Sequence, residues 1–556
     1  MIFVIVALVY GVNVRNEFVR LDDPDYVTKN ASLASGLTKD SVAWSFRLTK
    51  YAHNWHPLTW ISHGLDVSIA DWLELDWRVP EDSSGAVVRT SGPLACLVHG
   101  ENVLFHAANA VLLYFLLLSI SGRAGGNAGP ADVLVPTLLA LIWALHPLRV
   151  EVVAWAAERK ELLSVFFMLL SLLAYVNSRY WLSVPCVALA LLAKPVAVSL
   201  PAVFFAFDFL LVRTSLRRAL SRALPFVLLA AAASALTFLS QSAALEQGRE
   251  WSWLTRIVCA VEAPAVYLAQ TFWPVGLSPD YRVPGFQSWT WMVAGALLHL
   301  CVLAVPIWNL LRANRWSRLV LFGVAWVYVG LLPMIGVVKV GYEPHSDRYT
   351  YWIGCGCAGV LAIAFAWLRP LEVCHRRRVL GGATVLLAAL AILTFAQSRH
   401  WRDSRSLFAR IVGLTHSEYF SSMLGDILVA EGEQGKAAAE AMLRDTLDVR
   451  RSPNARAALA LHLAAYGRGT MTTGLSGDDE THFPEARILA ERALEEPCRA
   501  DWAVAALAIA DYRDKRYVRA YRNLKEAIGF GFEPQSLGID VAEWKRLSES
   551  GTETER

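Results

Sequence analysis

Three carboxylates follow the first hydrophobic stretch, in Leu21-Asp22-Asp23-Pro24-Asp25-Tyr26-Val27. On the water side of a helical bundle a carboxylate can act as a general base on a hydroxyl or amide. A neighbouring acid can orient it, hold a metal or raise its pKa by like-charge repulsion. The plainer alternative is a solvated acidic turn before Pro24. Ionisable groups held against a membrane domain are functional candidates by default, so Asp22 and Asp23 are taken as the candidate catalytic residues.

A second stretch concentrates charge: His146-Pro147-Leu148-Arg149-Val150-Glu151, then Trp155, then Glu158-Arg159-Lys160-Glu161. Such cations suit a phosphate, because Arg offers a bidentate fork and Lys a point charge. The three glutamates can equally neutralise the stretch from within. Lys194 is a lone cation ahead of Pro195 that can bind or simply snorkel. Lys339, Glu343, His345, Asp347, Arg348 and Tyr349 form a further charged run. His56, in Asn54-Trp55-His56-Pro57-Leu58-Thr59-Trp60, can line a polar, aromatic sugar site together with His63 and Asp66. A metal-free reading is favoured there, although a divalent cation is compatible with the acidic pair.

The elements that must position these groups are apolar helices. The chain has 556 residues, 55% hydrophobic and 18% charged, with a mean hydropathy of +0.37. That is too apolar for a soluble protein of this length. Its 21 tryptophans fit interfacial belts. A net charge of +3 implies no nucleic-acid footprint. The eight cysteines form no CxxC pair and no Cys/His metal spacing, so neither a zinc site nor a disulfide framework is read.

Hydrophobic segments recur at 100–121, 131–146, 161–177, 180–193, 196–212, 223–240, 256–273, 289–311, 316–338, 349–369 and 378–397. The run Ile2–Val12 is shorter than a membrane helix needs, which predicts a first helix shortened at its start or beginning upstream of Met1. Basic loops at 213–222, 312–318 and 369–378 should face the cytoplasm. All three do so together only if 256–273, which carries Glu262 and Gln270, is re-entrant or lies along the outer surface. About 11 crossings then remain. The outer loop 13–99, the stretch 339–348 and the C-terminal region face outward, and loop 13–99 should carry short amphipathic helices at Ser41–Tyr51 and Leu58–Trp72.

The expected fold class is all-α. Residues 1–397 form a polytopic membrane domain. Residues 398–556 form a polar, Ala-rich helical domain whose recurring helix–turn–helix pattern reads as tetratricopeptide (TPR)-like, with an insertion at 467–478.

The order and spacing of these strings resemble the TPR-bearing GT-C membrane glycosyltransferases, of the transmembrane-and-TPR-containing O-mannosyltransferase type and its bacterial relatives. The resemblance also uses Trp273-Pro274-Val275-Gly276-Leu277-Ser278-Pro279-Asp280-Tyr281-Arg282, Ser346-Asp347-Arg348-Tyr349-Thr350-Tyr351 and Ser398-Arg399-His400-Trp401-Arg402-Asp403-Ser404. It implies a GT-C fold, a polyprenyl- or dolichyl-phosphate sugar donor in the membrane, and transfer on the non-cytoplasmic side. It implies that Asp22 or Asp23 is the acid of the first outer loop. It puts Arg149, Glu158, Arg159, Lys160 and Arg348 near the donor phosphate, and gives the TPR-like part an acceptor protein to bind. The chain departs from the family at Pro195, where eukaryotic members often carry Glu. Two other classes compete: an inactive membrane-anchored scaffold for protein partners, and a lipid transporter. Charges gathered at the outer ends of helices rank the transporter last.

Overall fold

The computed structural model describes residues 1–48, 51, 54–75, 92–123, 130–247, 253–281, 289–312, 315–335, 345–356, 373–466, 482–495, 499–537 and 539–550. Lys339, Glu343, residues 369–372 of the basic loop 369–378 and the 467–478 insertion lie outside them. Among the described residues the regular structure is entirely helical. The chain divides into two compact units, Met1–Ser406 and Leu407–Arg556.

Among the described residues of the first unit, five helices are long and apolar enough to cross a membrane: Pro93–Ile120, Pro195–Val212, Leu216–Ser240, Trp289–Trp308 and Leu380–Trp401. The pair Val133–Ala144 and Pro147–Ala154, bent by 60°, makes a sixth if it counts as one span. Ile2–Arg15, Tyr180–Ala193 and Ser317–Leu331 are shorter apolar helices. Segment 256–273 lies within one continuous helix, Trp253–Phe272. It packs so closely on Trp289–Arg312 that a Cβ at Gly295 would overlap the Val261 carbonyl.

The bend at Leu145–His146 leaves backbone carbonyls without helical partners. Such groups are tolerated in a bundle only where other side chains satisfy them. The Ala144 carbonyl accepts from Tyr10 Oη at 3.0 Å and lies 3.0 Å from His106 Nε2. The Leu145 carbonyl accepts from Thr394 Oγ1 at 2.7 Å. Pro147 then starts a short 3₁₀ turn through Arg149, with His146 Nδ1 accepting the Leu148 amide at 3.2 Å.

The stretch 13–99 holds helices Lys39–Ser45 and Pro57–Trp72, close to the two amphipathic pieces read from sequence, and a short π-helical turn at Pro24–Thr28. A reciprocal Thr38/Ser41 capping box starts the first of these helices.

In the second unit, helices begin at Glu418, Glu433, Pro453, His482, Ala500 and Tyr517, and each packs on the next. The helices starting at 418, 453 and 500 also pack on one another in turn. Alanines 457, 460, 464, 486, 490, 503 and 520 occupy the core between them. Small side chains at these crossings let the backbones approach closely.

Candidate functional site

Asp23 is completely buried. Its Oδ2 accepts the Val19 amide at 2.8 Å, and its Oδ1 accepts the Ala157 amide at 2.9 Å. It therefore fastens the acidic loop to the 3₁₀ turn Ala156–Glu158. Burial pushes its carboxyl up to about 7 against those two amide bonds, with Asp22 adding to the rise and Lys160 opposing it. Of the two candidate bases, Asp23 is the one enclosed by the fold. Asp22 is its opposite: the side chain is 47% exposed, and Oδ2 lies 3.2 Å from Lys160 Nζ.

Trp155 adopts extended backbone and ends the helix Val150–Ala154. The chain then turns through Ala156–Glu158 and re-enters a helix at Arg159. Successive helical residues point about 100° apart, so Arg159 and Lys160 go to different places. Lys160 Nζ reaches Asp22 and also Glu158 Oε1 at 3.3 Å, and it sits 4.4 Å from the Tyr26 ring centre. Burial alone would lower its pKa, but Glu158, Tyr26 and Asp22 raise it, so the ammonium stays charged.

Arg159 is fully buried on another side, where it donates to Ser62 Oγ, the Val98 carbonyl and Asn102 Oδ1. It also pairs with Glu101 at 2.8 Å and Asp66 at 3.4 Å. Asp66 Oδ2 in turn lies 3.1 Å from His63 Nδ1. Arg159 is thus a buried fork whose donors are taken up within the protein, away from the Asp22 side of Lys160. Arg149 is likewise buried; its Nη1 donates to the Thr350 carbonyl at 2.5 Å and its guanidinium packs near Trp143 and Tyr351. His146 caps its turn, and its Nε2 lies 3.0 Å from the Thr271 carbonyl. Both hold the bend.

Lys194 owes its position to Pro195. A residue preceding proline is pushed out of the helical region, and Lys194 is extended at φ −158°, ψ 139°. The helix Tyr180–Ala193 stops there, and Thr59 Oγ1 caps its Ala193 carbonyl at 3.0 Å. Lys194 Nζ then lies 3.0 Å from Glu158 Oε2 and 2.9 Å from Glu161 Oε2.

Arg348 enters from the 3₁₀ turn Asp347–Tyr349. Its Nη1 donates to Glu151 Oε1 at 2.7 Å and its Nε lies 3.8 Å from Glu158 Oε1. The Arg348 amide and Ser346 Oγ also donate to Glu151, at 3.2 and 2.9 Å. Asp347 accepts from Tyr281 Oη at 2.6 Å. Tyr349 is buried, with the Arg348 guanidinium 5.2 Å from its ring centre.

Glu158 is thereby the hub, with three cations converging on it. Burial would raise its pKa, but Lys160, Lys194 and Arg348 hold it at about 2. Aromatic rings line the cluster. Trp155 lies 5.5 Å from Lys160 Nζ and 5.6 Å from the Arg348 guanidinium. Tyr26 stacks on Trp60 at 4.4 Å, and its hydroxyl meets His56 Nδ1 at 3.1 Å. Burial, reinforced by Lys160 and Lys194, holds His56 well below its usual pKa, so it stays neutral.

The structure thus brings together Asp22, Lys160, Glu158, Lys194, Glu151 and Arg348, with His56 one contact away through Tyr26. Sequence reasoning did not single out Glu161, Ser346 or Tyr281 as site residues. Each matters through a partner distant in sequence, which no local spacing reveals. Compared with known proteins, the chain matches no family model, no curated protein and no solved structure.

Proposed function

We propose that this chain is a multi-pass membrane glycosyltransferase of GT-C type. It moves a sugar from a polyprenyl- or dolichyl-phosphate donor to an acceptor, a protein hydroxyl, on the non-cytoplasmic face. In this reading the first unit makes about 11 crossings. The acidic loop and the C-terminal unit face the periplasm or lumen, and the TPR-like helices bind the acceptor protein. The single observation that carries the reading is the half-exposed Asp22 carboxylate at the edge of a cluster where Lys160, Lys194 and Arg348 converge.

The chemistry follows from those groups. Asp22 takes the proton of the acceptor hydroxyl as its oxygen bonds to the anomeric carbon. The bond from that carbon to the donor phosphate oxygen breaks, and the lipid phosphate leaves with the electron pair. Lys194 and Arg348, the two partly exposed cations, neutralise the charge that develops on it. Fixed charge placed where charge develops is the largest single source of rate in such sites.

One observation favours a second reading, the scaffold: every cation of the cluster already has a carboxylate partner, so the pocket is complete as an internal ion network. Transfer by the full-length protein in nanodiscs separates the two. Donors are polyprenyl-phosphate sugars and acceptors are Ser/Thr peptides. Sugar transfer that Asp22→Asn abolishes without lowering the melting temperature supports the enzyme. Absence of both donor binding and transfer in the wild type overturns it and leaves the scaffold.

A further inference from the structure

Among the described residues the cluster holds four carboxylates, Asp22, Glu151, Glu158 and Glu161, against three cations. A phosphate entering it meets ammonium and guanidinium groups that are already paired. It can take one of them only if a carboxylate gives way.

The four are not held alike. Glu158 is gripped from three sides. Glu151 accepts from Ser346 Oγ, the Arg348 amide and the Arg348 guanidinium. Asp22 reaches solvent, so water can replace Lys160. Glu161 has neither resource. Its side chain is 1% exposed, Lys194 at 2.9 Å is its close partner, and among the described residues neither of its oxygens has a hydrogen-bond partner beyond that ion pair. Lys194 itself is 13% exposed and open to a ligand.

A buried carboxylate that loses its counter-charge neutralises instead of remaining ionised. The groups facing Glu161 do not relieve it. Glu158, one turn earlier, is a like charge, and Arg348, from the 347–349 turn, is committed to Glu151 and Glu158. Lys160 is held by Asp22 and Glu158, and His56 is neutral.

We propose that a phosphodiester headgroup displaces Glu161 from Lys194 and that Glu161 takes up one proton from solvent as it is displaced. The inference rests on the donor reading of this pocket. It adds that donor binding is linked to protons and that Glu161 opens and closes the phosphate subsite.

The test is calorimetric titration of the full-length protein in nanodiscs with a short prenyl methyl phosphodiester, whose headgroup keeps one charge across the neutral range. Buffers of different ionisation heat report the protons exchanged. About one proton should be taken up per ligand, with affinity falling about tenfold per pH unit once free Glu161 is ionised. Glu161→Gln should bind with no uptake and no pH dependence.

Dimethyl phosphate serves as the chain-free probe. Uptake with both probes assigns the exchange to the phosphate alone, and uptake with the prenyl probe alone shows that the chain must seat it; either supports the exchange. Binding to the wild type without proton uptake, or uptake that persists in Glu161→Gln, overturns it while leaving the donor reading intact. No binding of either probe overturns both.

Discussion

The Asp23 carboxylate accepts the Ala157 amide at 2.9 Å across 134 residues of sequence. Through this bond the acidic loop and the turn carrying Glu158 and Lys160 become one piece. The adjacent aspartates therefore have separate tasks, one fastening the loop and the other facing water.

Substitutions at the two positions should diverge. Asp23→Ala leaves two buried amides without acceptors, a loss of about 2–6 kcal/mol at about 1–3 kcal/mol per unsatisfied group. Asp22→Asn loses only a half-exposed ion pair and should melt with the wild type. Thermal unfolding in detergent measures both. Equal loss in the two variants would remove the division of labour.

Arg159→Lys should cost about 2–4 kcal/mol, because a lysine cannot reproduce a guanidinium fork that serves several partners. Donor affinity of the folded fraction should be unchanged. Lys194→Gln should do the reverse at the ligand, weakening phosphodiester binding. Titrating the same prenyl probe against both variants, with melting curves alongside, distinguishes fork from ligand.

The pH dependence of stability should carry two opposite contributions. Glu158 sits at about 2 in the folded chain, below its ordinary 4.5. Its stabilisation is present above about 4.5 and is lost as the pH falls toward 2. Asp23 sits at about 7, above its ordinary 3.8. Its contribution is complete below about 4 and is lost as the pH rises through 7. The melting-temperature gap between wild type and Asp23→Asn should therefore narrow from pH 4 to 7. The gap to Glu158→Gln should narrow as the pH drops below about 4.5. Gaps that do not change with pH would show that neither group titrates as described.

Pro195→Ala should lower stability by about 0.4–1 kcal/mol by freeing the unfolded chain. It should lower donor affinity as well, because Lys194 can then continue the helix and withdraw from Glu158. Unaltered affinity would show that ion pairing alone places Lys194.

Much of the architecture was legible because it is periodic. The apolar helices Tyr180–Ala193 and Trp289–Arg312 fall within a residue of the segments read from hydrophobicity, and the Ala-rich pattern after residue 398 marked a second helical region. The candidate site was legible as a set of strings. The division of labour within each string was not. Asp22 and Asp23 are chemically identical neighbours, and only the position of the Ala157 amide tells them apart. Arg159 and Lys160 are adjacent cations whose separation depends on the turn that starts their helix. Glu161 gained its meaning from Lys194, 33 positions away, through a proline whose consequence is a backbone angle.

The bend between Val133–Ala144 and Pro147–Ala154 bears on how the protein is made. Its bare carbonyls cannot rest in lipid, and the groups that cover Ala144 belong to Tyr10 and His106, both earlier in the chain. In a chain synthesised from its N-terminus, those covers are made before the bend arrives. The Leu145 carbonyl must wait for Thr394, nearly 250 residues later. The bend is thus completed from a helix near the other end of the unit, and a chain that stops before residue 394 leaves the Leu145 carbonyl without its Thr394 partner.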